Sequence, residues 1–108
     1  MSTRSEGNTI LRYDFEPAVA RPEELRDEGG VFVVEKINGD AHIIVDAGHG
    51  DNVRADVESH ARRGQWEETA IGNLAFRAFY TGDRISAAGR REIVEEIRRE
   101  TSPACGPG

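Results

Sequence analysis

The sequence predicts an α/β (α+β) fold in which a small, mostly antiparallel central sheet is flanked by helices. Two apolar, β-branched runs at residues 31–34 and 43–45 flank the turn sequence Asn-Gly-Asp at residues 38–40. Asn-Gly between such runs is the strongest short-range signal for a β-hairpin. A glycine-rich link at residues 48–50 and the capping residue Asn52 then introduce a helix. We therefore expect a hairpin followed by a capped helix at the centre of the fold.

Length and composition indicate one domain at residues 9–103, between flexible tails at residues 1–8 and 104–108. The net charge of -6 argues against a free-standing nucleic-acid or anionic-membrane binder. Cys105 is the only cysteine, so no intramolecular disulfide is expected. No secretion signal or bilayer-spanning apolar run is present in the sequence. We expect a soluble cytoplasmic protein.

Before the hairpin, residues 9–16 alternate so that Leu11, Tyr13 and Phe15 share one side, which predicts a half-buried strand. Residues 22–28 suit a short helix, because proline stands in the first turn and acidic residues follow it. The two hairpin strands are apolar on both faces, and this pattern predicts a central position in the sheet for both.

After the hairpin, a helix at residues 53–63 is predicted to turn Val53, Val57 and Ala61 towards the core. Trp66 follows in a polar neighbourhood and is interpreted as a loop aromatic that covers the core.

A strand at residues 74–81 and a long helix at residues 85–100 complete the prediction. In the long helix Ile93 and Ile97 are spaced by four and predict the buried stripe, while arginines and glutamates form the exposed face.

This order of elements resembles the GIY-YIG nuclease domain over residues 29–106. The first family signature resembles Gly30-Val31-Phe32 and the second resembles Ile44-Val45-Asp46. The glycine-rich link into a helix that ends in histidine resembles residues 47–60. The closing Pro103-Ala104-Cys105 is similar to the end of small bacterial members. The resemblance implies a three-part site for Mg²⁺- or Mn²⁺-dependent phosphodiester cleavage: a metal-binding glutamate, signature tyrosines, and a helix arginine.

Several of the family's functional groups are replaced in this chain. The first tyrosine position holds Phe32, which lacks the hydroxyl, and the second holds Ile44. The signature glycine falls at Asp46, and the helix arginine falls at Asp56, which reverses the charge. The metal-binding glutamate falls near Glu92 when counted from the helix start, and near Val94 or Glu95 when counted back from the proline.

Loss of the base and the cation together indicates a domain that no longer catalyses cleavage. We expect a non-catalytic interaction or structural module, without a cofactor, that docks a protein partner or nucleic acid. The alternative is an active endonuclease with a rebuilt site. It would use Mg²⁺ or Mn²⁺ on Glu92 or Glu95, with these residues in the remaining roles: Tyr13 or Tyr80, and Arg77 or Arg90.

One further constellation has the residue types of a metal site. Asp56 and His60 are spaced by four on the predicted helix, and Asp46 and His49 lie just upstream. We adopt the simpler interpretation, in which His60 packs against Trp66, the acids are solvated and no metal is bound.

Overall fold

The computed structural model describes residues 9–69 and 72–103. The predicted tails at residues 1–8 and 104–108, and Cys105 with them, lie outside the described residues. In chain order the strands and helices are β1 (Thr9–Ile10), β2 (Tyr13–Asp14), β3 (Gly30–Asn38), β4 (Ala41–Gly50), α1 (Val53–Glu58), α2 (Arg63–Glu68), β5 (Asn73–Tyr80) and α3 (Ala87–Thr101). In the described chain, no helix is long and apolar enough to cross a membrane.

The central sheet has three antiparallel strands in the order β4-β3-β5. The β3–β4 hairpin pairs Gly30 with Gly50 and Asn38 with Ala41, which confirms the predicted hairpin. Gly39 lies in its turn with φ +63°, a left-handed conformation that glycine adopts without steric cost. Together with the helices, this sheet confirms the α/β class that the sequence predicts.

The prediction of a central position is right for β3 and wrong for β4, which forms an edge of the sheet. Residues 31–34 of β3 are fully or almost fully buried. In β4, by contrast, Val45 and Ala47 are buried while Ile43 is 46% exposed. The apolar run predicted the wrong position for β4 because other elements cover only the second half of this strand.

The strand predicted at residues 9–16 is a small hairpin instead, in which β1 pairs antiparallel with β2 and Ile10 lies opposite Tyr13. Leu11 has φ +57° and is exposed, so its predicted inward position is wrong. Phe15 is buried as predicted. Alternation located the apolar residues of this segment, but it contained no signal for a chain reversal at a leucine.

The helix predicted at residues 53–63 is divided into α1 and α2. Asn52 caps α1 as predicted, since its Oδ1 accepts a hydrogen bond from the Ala55 N–H at 2.9 Å. Val53 and Val57 are fully buried, which confirms the inner face of this helix. The predicted third member of that stripe, Ala61, is exposed because the helix has already ended.

Two further helix predictions need correction. Trp66 is not in a loop: it lies in α2 and is completely buried. The helix predicted at residues 22–28 is a short 3₁₀ turn at Pro22–Glu24. The long C-terminal helix is confirmed as α3, where the side chain of Ser86 accepts a hydrogen bond from the Gly89 N–H.

The alternation of β3 creates two hydrophobic clusters, one on each face of the sheet. Phe32 and Val34 face α1 and α2, where Trp66 joins the cluster. Val31 and Val33 face α3 and the β1–β2 hairpin. The result is a three-layer arrangement in which the central strand is covered on both faces.

Candidate functional site

Asp46 carries a fully buried carboxylate at the edge of the sheet, and four residues donate hydrogen bonds to it. Arg62 donates from Nε to Oδ2 at 2.8 Å and from Nη2 to Oδ1 at 3.3 Å. Arg98 donates from Nη2 to Oδ1 at 2.5 Å, and Trp66 donates from Nε1 to Oδ2 at 2.7 Å. The backbone N–H of Ala47 completes the set at 2.8 Å. A buried charge needs this kind of compensation to be tolerated.

The partners of Asp46 come from both outer layers. Arg62 and Trp66 belong to the α1–α2 side, whereas Arg98 belongs to α3 on the opposite face. Arg98 also donates from Nη2 to the carbonyl oxygen of Ala47 at 2.5 Å. Since β4 is an edge strand, these contacts satisfy an N–H and a C=O that have no neighbouring strand. The Asp46 cluster therefore joins three layers and covers part of the sheet edge.

Two opposing effects act on the pKa of Asp46. Burial alone raises the pKa, because it disfavours the charged form. The hydrogen bonds from Arg62, Trp66, Ala47 and Arg98 oppose burial, and together they hold the pKa below its usual value. Asp46 is thus stabilised as an anion and is a poor acceptor for a proton from an attacking water.

A row of rings lies beside this carboxylate. His60 contacts Trp66 with ring centroids 4.8 Å apart and meets Phe32 edge-on at 5.9 Å. This packing agrees with the interpretation that His60 lies against Trp66. The Nδ1 atom of His60 accepts a hydrogen bond from the Arg62 N–H at 3.1 Å. Burial, followed by the positive charge of Arg62, lowers the pKa of His60 and favours the neutral ring.

Two glycines in the second half of β4 make room for side chains of this region. A Cβ at Gly48 would lie 2.6 Å from Cζ of Phe32, so the phenylalanine ring rests on the bare backbone. A Cβ at Gly50 would lie 1.5 Å from Oδ2 of Asp56. The glycine-rich link therefore has a steric role: it accepts Phe32 and Asp56 at close range.

The structure separates the positions at which the resemblance places the nuclease site. Phe32 and Asp46 lie on the α1–α2 side, and Asp46 pairs in register with Val34 of the same cluster. Ile44 packs instead against the cluster beneath α3, so it does not frame one pocket with them. The cause is a bulge opposite Val34/Glu35. One extra residue in β4 shifts the alternation of side chains, so that Ile44 and Asp46 point to opposite faces of the sheet.

The two glutamates proposed for metal binding, Glu92 and Glu95, lie on the exposed face of α3. The neighbouring Glu96 forms hydrogen bonds with the β1–β2 hairpin. It accepts hydrogen bonds from Arg12 at 2.5 Å and from the Tyr13 hydroxyl at 2.8 Å. Tyr13 is consequently a packing and hydrogen-bonding residue here.

The other members of the alternative rebuilt site are dispersed. The Tyr80 hydroxyl accepts a hydrogen bond from the Arg26 N–H at 2.8 Å. Arg77 forms a buried ion pair with Glu35 at 3.1 Å. Arg90 donates to the carbonyl oxygen of Gly50 at 2.7 Å. These groups hold separate parts of the fold together and do not converge on one point.

The structure does not assemble the metal site for which the sequence has suitable residue types, namely Asp46, His49, Asp56 and His60. Across residues 9–69 and 72–103, no three His, Cys, Asp or Glu side chains come close enough to hold a metal ion. Asp46 is buried and paired with two arginines, so the interpretation that the acids are solvated is wrong for this residue. His49 keeps a buried Nδ1 that has no hydrogen-bond partner in the described chain. Burial and then the positive charges of Arg90 and Arg91 lower the pKa of this histidine.

Sequence reasoning missed Arg62, Trp66 and Arg98 as partners of Asp46. They lie 16, 20 and 52 residues away along the chain, respectively. No spacing rule links such positions, since a helix face relates only neighbours three or four residues apart. The available signal was the aspartate itself, an ionisable residue at the end of an apolar strand, which requires buried partners.

The chain was compared with protein-family models, curated proteins and solved structures. None of the three comparisons gives a match.

Proposed function

We propose that this chain is a non-catalytic domain of the GIY-YIG type, similar in its closing elements to small bacterial members, and that it acts in the cytoplasm as an interaction module for a protein partner. The observation that carries the proposal is the internal neutralisation of Asp46. The guanidinium groups of Arg62 and Arg98 both donate hydrogen bonds to its carboxylate, so one buried anion holds two cations against the fold. Charged groups held in this way contribute to the fold and are not available to a substrate phosphate.

The remaining chemistry of this region also favours a non-catalytic role. Cleavage of a phosphodiester needs a base near the attacking water and a cation near the phosphoryl oxygens. Phe32 has no ionisable group, and Asp56 places a negative charge where a cation is needed. The Asp56 carboxylate would oppose the binding of a phosphate at that position, because like charges repel.

The difference between the two edges of the sheet favours a protein as the partner. The outer edge of β5 is covered by an N-terminal segment, through two hydrogen bonds between Val19 and Phe76 and one from the Glu16 N–H to the Ala78 carbonyl oxygen. β4 has no described neighbour on its outer side. Its first half exposes Ile43 beside a pocket of about 430 Å³ formed with α3. An extended segment of another protein is the ligand class that such an edge accepts, by adding a strand.

Cleavage of DNA tests the non-catalytic assignment. The unmodified protein is incubated with supercoiled plasmid and with branched DNA in the presence of Mg²⁺ or Mn²⁺, and no cleavage is expected. Glu92→Ala and Glu95→Ala serve as matched variants, because both residues are exposed and their loss leaves the core intact. Metal-dependent cleavage that either variant abolishes would overturn the proposal and establish the endonuclease alternative.

Cross-linking tests the choice of surface and of partner. A photoreactive amino acid replaces Ile43 in one variant and the exposed Ala88 of α3 in a control. In cells, a protein adduct is expected from position 43 and not from position 88. Equal adducts at both positions would reject β4 as the docking edge. An adduct that nuclease treatment removes would identify nucleic acid as the partner instead.

A further inference from the structure

Lys36 is the only lysine of the chain, and it lies in the central strand β3 with 5% of its surface exposed. Its Nζ donates one hydrogen bond, to the carbonyl oxygen of Glu67 at 2.9 Å. An ammonium group has three N–H donors. Among the described residues, no further acceptor and no carboxylate partner contacts this group.

Every other buried charged side chain of the described chain has an opposite charge beside it. Glu35 pairs with Arg77 at 3.1 Å, and Arg90 pairs with Asp51 at 3.2 Å. Asp46 has two arginine partners. A buried lysine is normally found only with a counter-charge, since isolation of an ion from water is costly. Lys36 is the exception in this protein.

Lys36 lines a groove of about 670 Å³ on the α2 side of the sheet. This volume lies within the range of small-molecule sites. Arg63 lines the same groove, and its described contact is a hydrogen bond to the Glu58 carbonyl oxygen at 3.0 Å. Leu74 and Phe76 line the groove from β5, and Pro22 lines it from the 3₁₀ turn. The groove thus combines two cations that have no described carboxylate partner with an apolar wall.

Acidic residues also line the groove and define its selectivity. Glu23 forms an ion pair with Arg21 at 3.7 Å, whereas Glu67 lines the groove without a described ion pair. Three cations, Arg21, Lys36 and Arg63, line the groove against these two acidic residues, so its lining has a net positive charge. A ligand with one small anionic group is favoured over a polyanion, which Glu67 would repel.

We propose that this groove binds a small organic anion. Its carboxylate or phosphate lies between Lys36 and Arg63, and its apolar part packs against Leu74, Phe76 and Pro22. The anion supplies the counter-charge that the fold does not give to Lys36. Lys36 pairs in register with Ile43 of β4. The rest of the groove is lined from β5, α2 and the 3₁₀ turn, and a small anion there does not depend on the proposed interaction role.

The single lysine gives the experiment a direct probe. Full-length protein is prepared with ¹³C at lysine Cε, so that the only lysine ε-methylene signal in the NMR spectrum belongs to Lys36. The protein is titrated separately with butyrate and with inorganic phosphate, and sodium chloride at the same ionic strength controls for screening. A saturable shift with butyrate or phosphate, and not with chloride, is expected. A response to only one of the two identifies the anionic group.

Two arginine variants test the geometry. Arg63→Gln is expected to weaken binding roughly tenfold or more, because a hydrogen bond to a charged group is lost. Arg91→Gln, which removes an exposed cation on α3, is expected to leave binding unchanged. Equal effects of the two variants, or a Lys36 signal that moves alike in all three salts, would overturn the proposal.

A lysine variant gives a second readout. In Lys36→Met, the backbone amides of Asn73 and Leu74 should no longer shift on addition of the anion. Persistent shifts in a folded Lys36→Met protein would likewise overturn it. If this variant does not fold, the Arg63→Gln comparison and the lysine signal of the parent still decide the question.

Discussion

Asp46 and Lys36 lie on neighbouring strands of one sheet, and both bury a charged group, yet their surroundings differ completely. Asp46 has two arginines, an indole N–H and a backbone N–H around its carboxylate. Lys36 has one carbonyl oxygen among the described residues. The first group is compensated within the chain, whereas the second lines an open groove.

This difference separates a structural charge from a charge that is available to a ligand. When a buried charged group is fully compensated, removal of any one of its partners lowers the stability of the fold. A buried cation without a counter-charge lowers stability, and something outside the chain can compensate it. Substitutions of Asp46, of Lys36 and of His60, which packs against Trp66, distinguish the two kinds of charge.

The largest effect is expected for Asp46→Ala. The substitution leaves Arg62, Arg98 and the Trp66 N–H without their common acceptor, and the unfolding free energy should fall by about 3–5 kcal/mol. Chemical denaturation measures this change. The matched control is Asp83→Ala, because Asp83 is exposed and has no described ion pair, so its loss should change stability by less than about 0.5 kcal/mol. Similar losses for both variants would contradict a special role for the buried carboxylate.

A smaller effect is expected from acidification. Burial and the charge of Arg62 lower the pKa of His60 in the folded state, so the unfolded chain binds the proton first as the pH falls below about 6.5. Stability should then decrease with falling pH, by at most about 1.4 kcal/mol per pH unit for this residue. A proton on Nδ1 would also remove the acceptor for the Arg62 N–H.

The variant His60→Asn isolates this contribution, because its amide oxygen accepts the same hydrogen bond and does not titrate. Denaturation curves between pH 7 and 5 should show a shallower decrease in the variant than in the parent. His49 has a lowered pKa as well, so part of the slope should remain. Identical slopes in the two proteins would exclude His60 as a contributor.

The smallest effect is expected for Lys36→Met, and its sign is what matters. Methionine keeps most of the apolar stem and removes a buried charge that lacks a counter-ion, so the unfolding free energy should be unchanged or slightly higher. Thermal denaturation in a buffer without phosphate or carboxylates measures it. A loss comparable with that of Asp46→Ala would mean that Lys36 is compensated within the chain after all.

Local signals were sufficient for much of the backbone. The hairpin of β3 and β4, the Asn52 cap and the buried stripe of α3 all follow from neighbouring residues, and all three are present. The same signals failed where a longer-range contact decided the outcome. Nothing in residues 53–63 indicated two helices, because the turn between them is held by His60 and packed against Trp66.

The candidate site depended even more on the tertiary structure. The resemblance to the nuclease domain implied that Phe32, Ile44, Asp46 and Asp56 belong to one site. One bulged residue in β4 places Ile44 on the opposite face, since side chains alternate between the faces of a strand. A pattern of apolar residues cannot locate such a bulge in advance.

What the sequence by itself determined was the fold class, the central hairpin and the number of charges. Only the tertiary structure decided which charges meet. The cause is physical: secondary structure follows from steric and hydrogen-bonding preferences of nearby residues, whereas the pairing of a buried ion depends on groups brought together from distant segments. Asp46 and Lys36 are both charged residues in largely apolar strands, and the described residues supply a counter-charge to only one of them.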